Sequence, residues 1–413
     1  MNEPHNESSV APAATYLQRI AEHIAAIRTA VPHLTDMGER MAEPLLAGGN
    51  IFTAPIAAYF PNEFCNRAGG LMGVRPLMGG RTDAYTSRNK NDVAWFALPD
   101  PRFWKAADDA VLRELLSSNA RLFAIGKADE LPENMRRRIA GFTGGAAAGE
   151  GDYALEAFRP LTSFRPFEQL VRGWITTGEM ITACIRAGKM PIIWMSVWLE
   201  GAFARNAAFY DHDNLREPWL IPLFHERRYI PPLSAGYAAG AFLDELTRIH
   251  ARLLAQAGVL ARAGQWMAEA RRAGRGIHAI AVGHSHPEIL ELKHAPGYPI
   301  QWSGSVSDLN LAVPASIGRD EVVLHFGYSP VDIADVRRIL ERGVKFIYTS
   351  PYGRPDELED HPNLLWFDLP WRPADATVDI PGYSVRILPM SSSAHAMAYN
   401  AILAEFAERM GWR

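Results

Sequence analysis

Two histidines, a serine and a glycine crowd the hexapeptide GHSHPE, Gly283–Glu288, directly after the apolar run IHAIAV. Glycine lets a backbone approach a ligand closely, and a helix N-terminus offers unpaired amides to an anion. Ser285 adds a hydroxyl, while His284 and His286 become charge-assisted donors when protonated. Gly283, His284, Ser285 and His286 therefore suit a phosphate or a sugar oxygen. The same residues also read as a polar helix cap with exposed histidines. As metal ligands, the H-x-H pair would need a third group that the local sequence does not supply, so no metal is expected.

Three further loops carry hydroxyls in the same half of the chain. HFGYSPVD offers Gly327 for a tight turn and Ser329 at the head of the next helix; YTSPYG offers Thr349 and Ser350; MSSSAHAMAYN leads through Ser391, Ser392 and Ser393 into the last helix. Serine at a helix start is an ordinary cap. Four such loops leaving one sheet edge exceed what capping requires. Glu291 follows on the helix opened by GHSH, where a carboxylate could take a proton beside a carbonyl, the step an aldose–ketose isomerisation needs. His395 and His294 are its candidate acid–base partners. Against catalysis stands Glu63, which holds the matching place in an earlier, ligand-poor copy of the pattern. A residue kept in both places can simply hold a helix.

That earlier copy sets the elements that position these loops. NIFTAPIAAYFPNEFCNRAGG from Asn50 overlays HAIAVGHSHPEILELKHAPGY from His278 at an offset of 228, which places Glu63 on Glu291 and Gly69 on Gly297. Continued without a gap, NDVAWFAL overlays RDEVVLHF, both reading as buried strands entered from a polar turn. Four extra residues in the first copy then bring NARLFAIG over GVKFIYTS at 224, and Ser163 over Ser391 restores 228. Upstream, YLQRIAEHIAAI overlays FLDELTRIHARL, and DVRRILERG puts Val336, Ile339 and Leu340 on one helical face.

Alternating strands and helices predict an α/β chain of two doubly wound α/β/α sandwiches with parallel sheets, arranged as a tandem pseudo-repeat. The first unit is expected over 14–195, a packed connector over 196–234 and the second unit over 235–413. In the first unit PIAA (Pro55–Ala58) stands where GHSH stands in the second, and PDPR (Pro99–Arg102) where GYSP stands. Arg102 is the one obvious donor left there, so the first unit is expected to be structural or regulatory.

Composition narrows the partners. The chain has 413 residues, a net charge of −4 and no long basic run, which argues against a phosphate-tracking nucleic-acid surface. Cys65 and Cys184 are its two cysteines, too few for a disulfide framework and without a C-x-x-C pair. The polar N-terminus lacks a signal-peptide layout, and the apolar stretch Met190–Leu199 is too short to cross a bilayer. A soluble cytoplasmic protein without a membrane contact is expected.

GHSHPEILELKHAPG resembles the first loop and helix of bacterial phosphosugar-binding proteins of the sugar isomerase (SIS) family, and NEFCNRAGGL resembles the latter half of the same family segment. HFGYSP falls where that family carries an S-x-S-G loop, Ser329 matching the second serine and Gly327 replacing the first; MSSSAHAMAYNAILAEFAERM is similar to its closing serine loop and helix. The resemblance implies a five-stranded parallel sandwich, a small-molecule sugar phosphate as partner, no organic cofactor, and a dimeric or tandem arrangement. It implies aldose–ketose isomerisation or sensing of sugar phosphates as the activity. In phosphoheptose-type isomerases of that family a histidine of the last helix takes part in proton transfer, and His395 stands at the head of the matching helix here, with Glu291 as the candidate base. No DNA-binding helical region precedes the repeat, which disfavours the transcriptional-regulator branch.

Overall fold

The computed structural model describes residues 11–56, 59–77, 91–101, 106–146, 162–209, 221–282, 298–306, 313–328, 330–358 and 360–412. The first half runs α1 (Pro12–Thr29), α2 (Val31–Leu46), β1 (Ile51–Thr53), α3 (Tyr59–Phe64), β2 (Val74–Pro76), β3 (Val93–Ala97), α4 (Ala106–Ser117), β4 (Arg121–Ile125), α5 (Glu133–Arg136), β5 (Ile139–Phe142) and α6 (Phe164–Arg186). A short helix α7 (Ala202–Ala207) follows. The second half runs α8 (Tyr237–Leu254), α9 (Ala257–Arg272), β6 (Ile277–Val282), β7 (Gln301–Val306), β8 (Val322–Phe326), α10 (Ile333–Glu341), β9 (Lys345–Ser350), β10 (Leu364–Asp368), β11 (Ala376–Val378), β12 (Ile387–Pro389) and α11 (Ser391–Met410).

Each half builds a five-stranded parallel sheet, ordered β2-β1-β3-β4-β5 in the first and β7-β6-β8-β9-β10 in the second. Counted within its own half, each is 2-1-3-4-5, a doubly wound order with its switch point beside the first strand. The central strands Val93–Ala97 and Val322–Phe326 are buried at every position, as strands covered by helices on both faces must be. Val336, Ile339 and Leu340 form the buried face of α10 as their spacing requires.

The ladders correct the constant offset. Ile51 pairs with Val93, whereas Ile277 pairs with Val322, so the second half has three more residues between those partners. Val93 pairs with Arg121 and Val322 with Lys345, so the first half then has five more rather than four. A shared hydrogen bond fixes the match: Leu98 N donates to Ile125 O at 2.9 Å, and Gly327 N donates to Thr349 O at 2.7 Å. Leu98, not Pro99, thus occupies the place of Gly327. Insertions of odd length are invisible to an ungapped overlay because apolar runs tolerate a slip before any polar residue contradicts it.

The closing helices are the most buried elements of each half. Ser163 caps α6, its side chain accepting from Arg165 N, and 20 of that helix's residues are buried. In α11, Ser391 through Ala407 are all buried. Helices buried nearly all round run through the inside of a molecule, and the polar residues they carry must find partners there. Here α6 packs on α2 and α8, while α11 packs on α1 and α9, so α1 crosses from the first half onto the second. One continuous core results, joining Ile20, Trp174 and Phe123 to Phe242, Leu324 and Tyr399, with a second cluster of Phe52, Phe96 and Leu122 on the outer face of the first sheet. Among the described residues no helix is long and apolar enough to cross a membrane. Cys65 and Cys184 are free and buried.

Candidate functional site

The serines expected to grip a ligand meet different fates within one helical turn. Ser391 Oγ accepts from Arg67 Nη2 at 2.7 Å and lies 3.1 Å from the Tyr328 hydroxyl. Ser392 Oγ accepts from the same Nη2 at 2.9 Å and donates to Glu63 Oε2 at 2.8 Å. Arg67 also pairs with Asp375 at 3.0 Å, and Trp174 Nε1 donates to Glu63 Oε1 at 2.9 Å. Asp375 Oδ1 then accepts from Met390 N and Ser391 N, serving as the cap that α11 lacks locally. Glu63 and Arg67 belong to the first half, so two of the three serines are spent on an internal bridge between halves. Burial pushes the Glu63 carboxyl up against the opposing pull of Arg67, Trp174 and Ser392. Glu63 thus does hold structure together, the reading that its place in a ligand-poor copy suggested.

Ser393 is different. Among the described residues its buried hydroxyl has no hydrogen-bond partner, and neither do the buried Thr349 hydroxyl and the two ring nitrogens of His395. The three groups lie at one sheet edge. His395 meets the Phe326 ring edge-on at 5.2 Å between centroids, and Phe326 is the ladder partner of Thr349. The Trp371 ring also lies edge-on to the imidazole, at 4.9 Å. Burial pushes the His395 pKa down to about 3, so the ring is neutral at physiological pH and presents one donor and one acceptor. His325, on β8, is likewise buried, unpartnered and lowered to about 3, and it stacks on Tyr348.

Backbone strain frames the same edge. Ala374, Asp375 and Leu388 adopt the left-handed conformation without being glycine, and they flank Ser391. Such residues cost on the order of 1–3 kcal/mol each and persist only where surroundings dictate them. Here Leu388 N donates to Gly69 O at 3.0 Å, and a Cβ on Gly69 would sit 2.7 Å from that of Ala376, so the R-A-G-G segment clamps this antiparallel ladder. The connector contributes Trp198, stacked on Tyr328 at 6.1 Å.

Other expected contacts resolve into packing. A Cβ at Gly327 would lie 2.5 Å from the Tyr348 hydroxyl and 2.9 Å from Thr349 O, so close approach rather than a tight turn requires glycine there. The Ser350 hydroxyl accepts from Tyr352 N at 3.3 Å as a turn cap. The helix expected to begin at Ser329 begins at Ile333, capped by Asp332; Pro330 disfavours a helical residue before it, and aspartate is a strong cap. Gly283, His284, Ser285, His286, Glu291, His294 and Ser329 lie outside the described residues, as does Arg102 in the first half.

The first sheet's edge holds an arginine that local pattern did not reveal. Arg165, in the first turn of α6, forks onto both oxygens of Glu130 and reaches the carbonyls of Leu98 and Pro99. Gln169 Nε2 adds a bond to Leu98 O at 2.7 Å. Nearby, Glu168 bridges His23 at 2.6 Å and Arg172 at 2.7 Å. Glu168 and Arg172 are helical neighbours four positions apart, but nothing in the order of residues announces Arg165 with Glu130 or Glu168 with His23, which stand 35 and 145 positions apart. Asp375, Tyr328 and Trp371 escaped sequence reading for the same reason.

No family model matches the chain, and no curated protein sequence is similar to it. Solved structures are. A "putative phosphosugar isomerase" from Clostridium difficile 630 superposes with a TM-score of 0.52 at 9% identity, over 98% of this chain and 94% of that one. A "putative sugar binding protein" from Salmonella typhimurium LT2 gives 0.49 at 11% identity, over 95% and 99%. A "putative phosphosugar isomerase" from Silicibacter pomeroyi DSS-3 gives 0.46 at 13%, over 98% and 99%. The Clostridium protein and this chain share a fold across nearly their whole lengths.

Proposed function

We propose that the chain binds a phosphorylated sugar at the carboxyl edge of its second sheet. The observation that carries this reading is the trio of buried polar side chains without hydrogen-bond partners among the described residues, Thr349, Ser393 and His395. An unmade hydrogen bond costs a buried polar group about 1–3 kcal/mol, so an edge holding several is awaiting donors and acceptors. Hydroxyls that both donate and accept match a neutral imidazole and two alcohols well. The phosphate is assigned to Gly283, His284, Ser285, His286 and Ser329, whose amides and hydroxyls suit an anion. The fold shared with the Clostridium protein makes phosphosugars the first ligands to try.

Glu291 is the proposed base if the bound sugar is isomerised. His395 is a poor proton carrier, since an effective acid–base group titrates near the working pH and this one sits near 3. That mismatch favours a second reading, a sugar-phosphate sensor that does not turn its ligand over. Either way the protein is proposed to work in the cytoplasm, singly or as a homodimer, with no cofactor. The units 14–195 and 235–413, joined by 196–234, are proposed to descend from one duplicated domain, which their common strand order supports.

Thermal or chemical denaturation in a panel of pentose and hexose phosphates tests the reading. A ligand at 100 times its Kd stabilises by about 2.7 kcal/mol. At least one sugar phosphate should stabilise the wild-type chain, and Ser393→Ala should weaken that response. If none stabilises it, both readings fail. Exchange of the bound sugar's C1 and C2 hydrogens with deuterium oxide then separates enzyme from sensor. Exchange abolished by Glu291→Gln identifies the base; tight binding without exchange identifies the sensor.

A further inference from the structure

A cleft of about 400 Å³ opens on the far side of the connector, between α7 and the segment joining β11 to β12. Its lining carries three guanidiniums, Arg205, Arg227 and Arg228, against one carboxylate, Glu226. None of the three arginines has an ion-pair partner among the described residues. Tyr383 stands at the centre: its hydroxyl accepts from Arg205 Nη2 at 2.6 Å and lies 3.0 Å from His225 Nε2. Arg228 lies over the Tyr383 ring at 5.7 Å and donates to Gly382 O at 2.9 Å, while Arg205 lies over Phe209 at 4.9 Å.

We propose that this cleft is a second ligand site, built for the phosphate group of a small organic phosphate monoester. Arg67 and Arg165, both withdrawn from water, each face a carboxylate. Arg205 is half-buried and, among the described residues, meets only neutral acceptors, the Tyr383 hydroxyl, Asn206 Oδ1, the carbonyl of Ile193 and Met72 Sδ. A charge kept from water without a counter-charge is unfavourable, and an anionic ligand relieves it. With His225 held neutral by burial and by the two guanidiniums beside it, the lining keeps two positive charges. A phosphate monoester near pH 7 carries about two negative ones. Planar guanidinium forks match phosphate oxygens, and the volume falls in the range of small-molecule pockets, roughly 300–1,000 Å³. Phe209 and Tyr383 provide apolar surface for the organic part.

The site touches both the connector and the second half, so its occupancy would lock the segment between β11 and β12 to α7. Calorimetric titration of the full chain with phenyl phosphate and with inorganic phosphate tests it at constant ionic strength. Phenyl phosphate should bind below roughly 1 mM. Arg228→Gln, an exposed change that leaves the core untouched, should weaken it at least about tenfold, as loss of one charge-assisted bond implies. Arg205→Gln should weaken it similarly, and Ser393→Ala should leave it unchanged. Absent binding by the wild-type chain, or equal binding by wild type and Arg228→Gln, overturns the proposal. Failure of sugar phosphates at Ser393 leaves this titration intact, so the two sites stand or fall separately.

Discussion

At the first sheet's carboxyl edge, the opening turn of α6 supplies Arg165, locked onto Glu130 and two carbonyls; at the second, the opening turn of α11 supplies Ser393, with a buried hydroxyl that meets no hydrogen-bond partner among the described residues. Arg165 reaches the carbonyl of Leu98, whose amide donates to Ile125; the matching backbone bond of the second sheet runs from Gly327 to Thr349. The first edge has been closed by a residue long enough to satisfy itself. The second has been left short of partners, and its two spare serines have been turned inward to join the halves through Arg67. Two sheets of the same strand order can thus differ at their carboxyl edges, because the ladder does not depend on what the loops hold.

Cutting the Arg165 bridge has the largest expected effect on that contrast. Arg165→Ala leaves Glu130 nearly buried without a counter-ion, which costs about 3–5 kcal/mol. Urea denaturation measures it, and a loss under 1 kcal/mol would show that the first edge is not held by this pair. Acid titration comes next. His395 takes up a proton near pH 6.5 when unfolded but only near 3 when folded, so the unfolded chain binds more protons in that window. Stability is therefore full above 6.5 and falls as pH drops, by up to about 1.4 kcal/mol per pH unit for this histidine. His325 adds its own share. His395→Phe should flatten the slope measured by denaturation between pH 6 and 4; an unchanged slope would mean that the imidazole is already solvated or paired. The smallest effect sharpens the comparison most. Ser393→Ala should leave the unliganded chain as stable as before or more so by about 1 kcal/mol, since it removes an unpartnered hydroxyl. Ser392→Ala, one position away, should cost about 1 kcal/mol because its hydroxyl joins Arg67 to Glu63. Equal effects for the two would erase the distinction.

Much of this was legible from the chain. NDVAWFAL, RDEVVLHF and GVKFIYTS announce buried strands, and DVRRILERG announces its buried face, because side-chain periodicity is a local property. The hydroxyl-rich second half and the depleted first half were equally visible. Which hydroxyls remain free was not. Ser391, Ser392 and Ser393 are identical in sequence, and only the approach of Arg67, Glu63 and Asp375 separates them.

Residue order by itself determined the α/β class, the parallel sheets and the candidate loops, all of which follow from patterns a few residues long. Tertiary structure alone decided that α1 packs across onto the second half, that Arg165 seals the first edge, and that one serine in three is left without a partner. The reason is physical. Periodicity sets which face of an element avoids water, whereas a buried charge or hydroxyl is governed by the partner within about 3 Å, and that partner can come from anywhere in the chain.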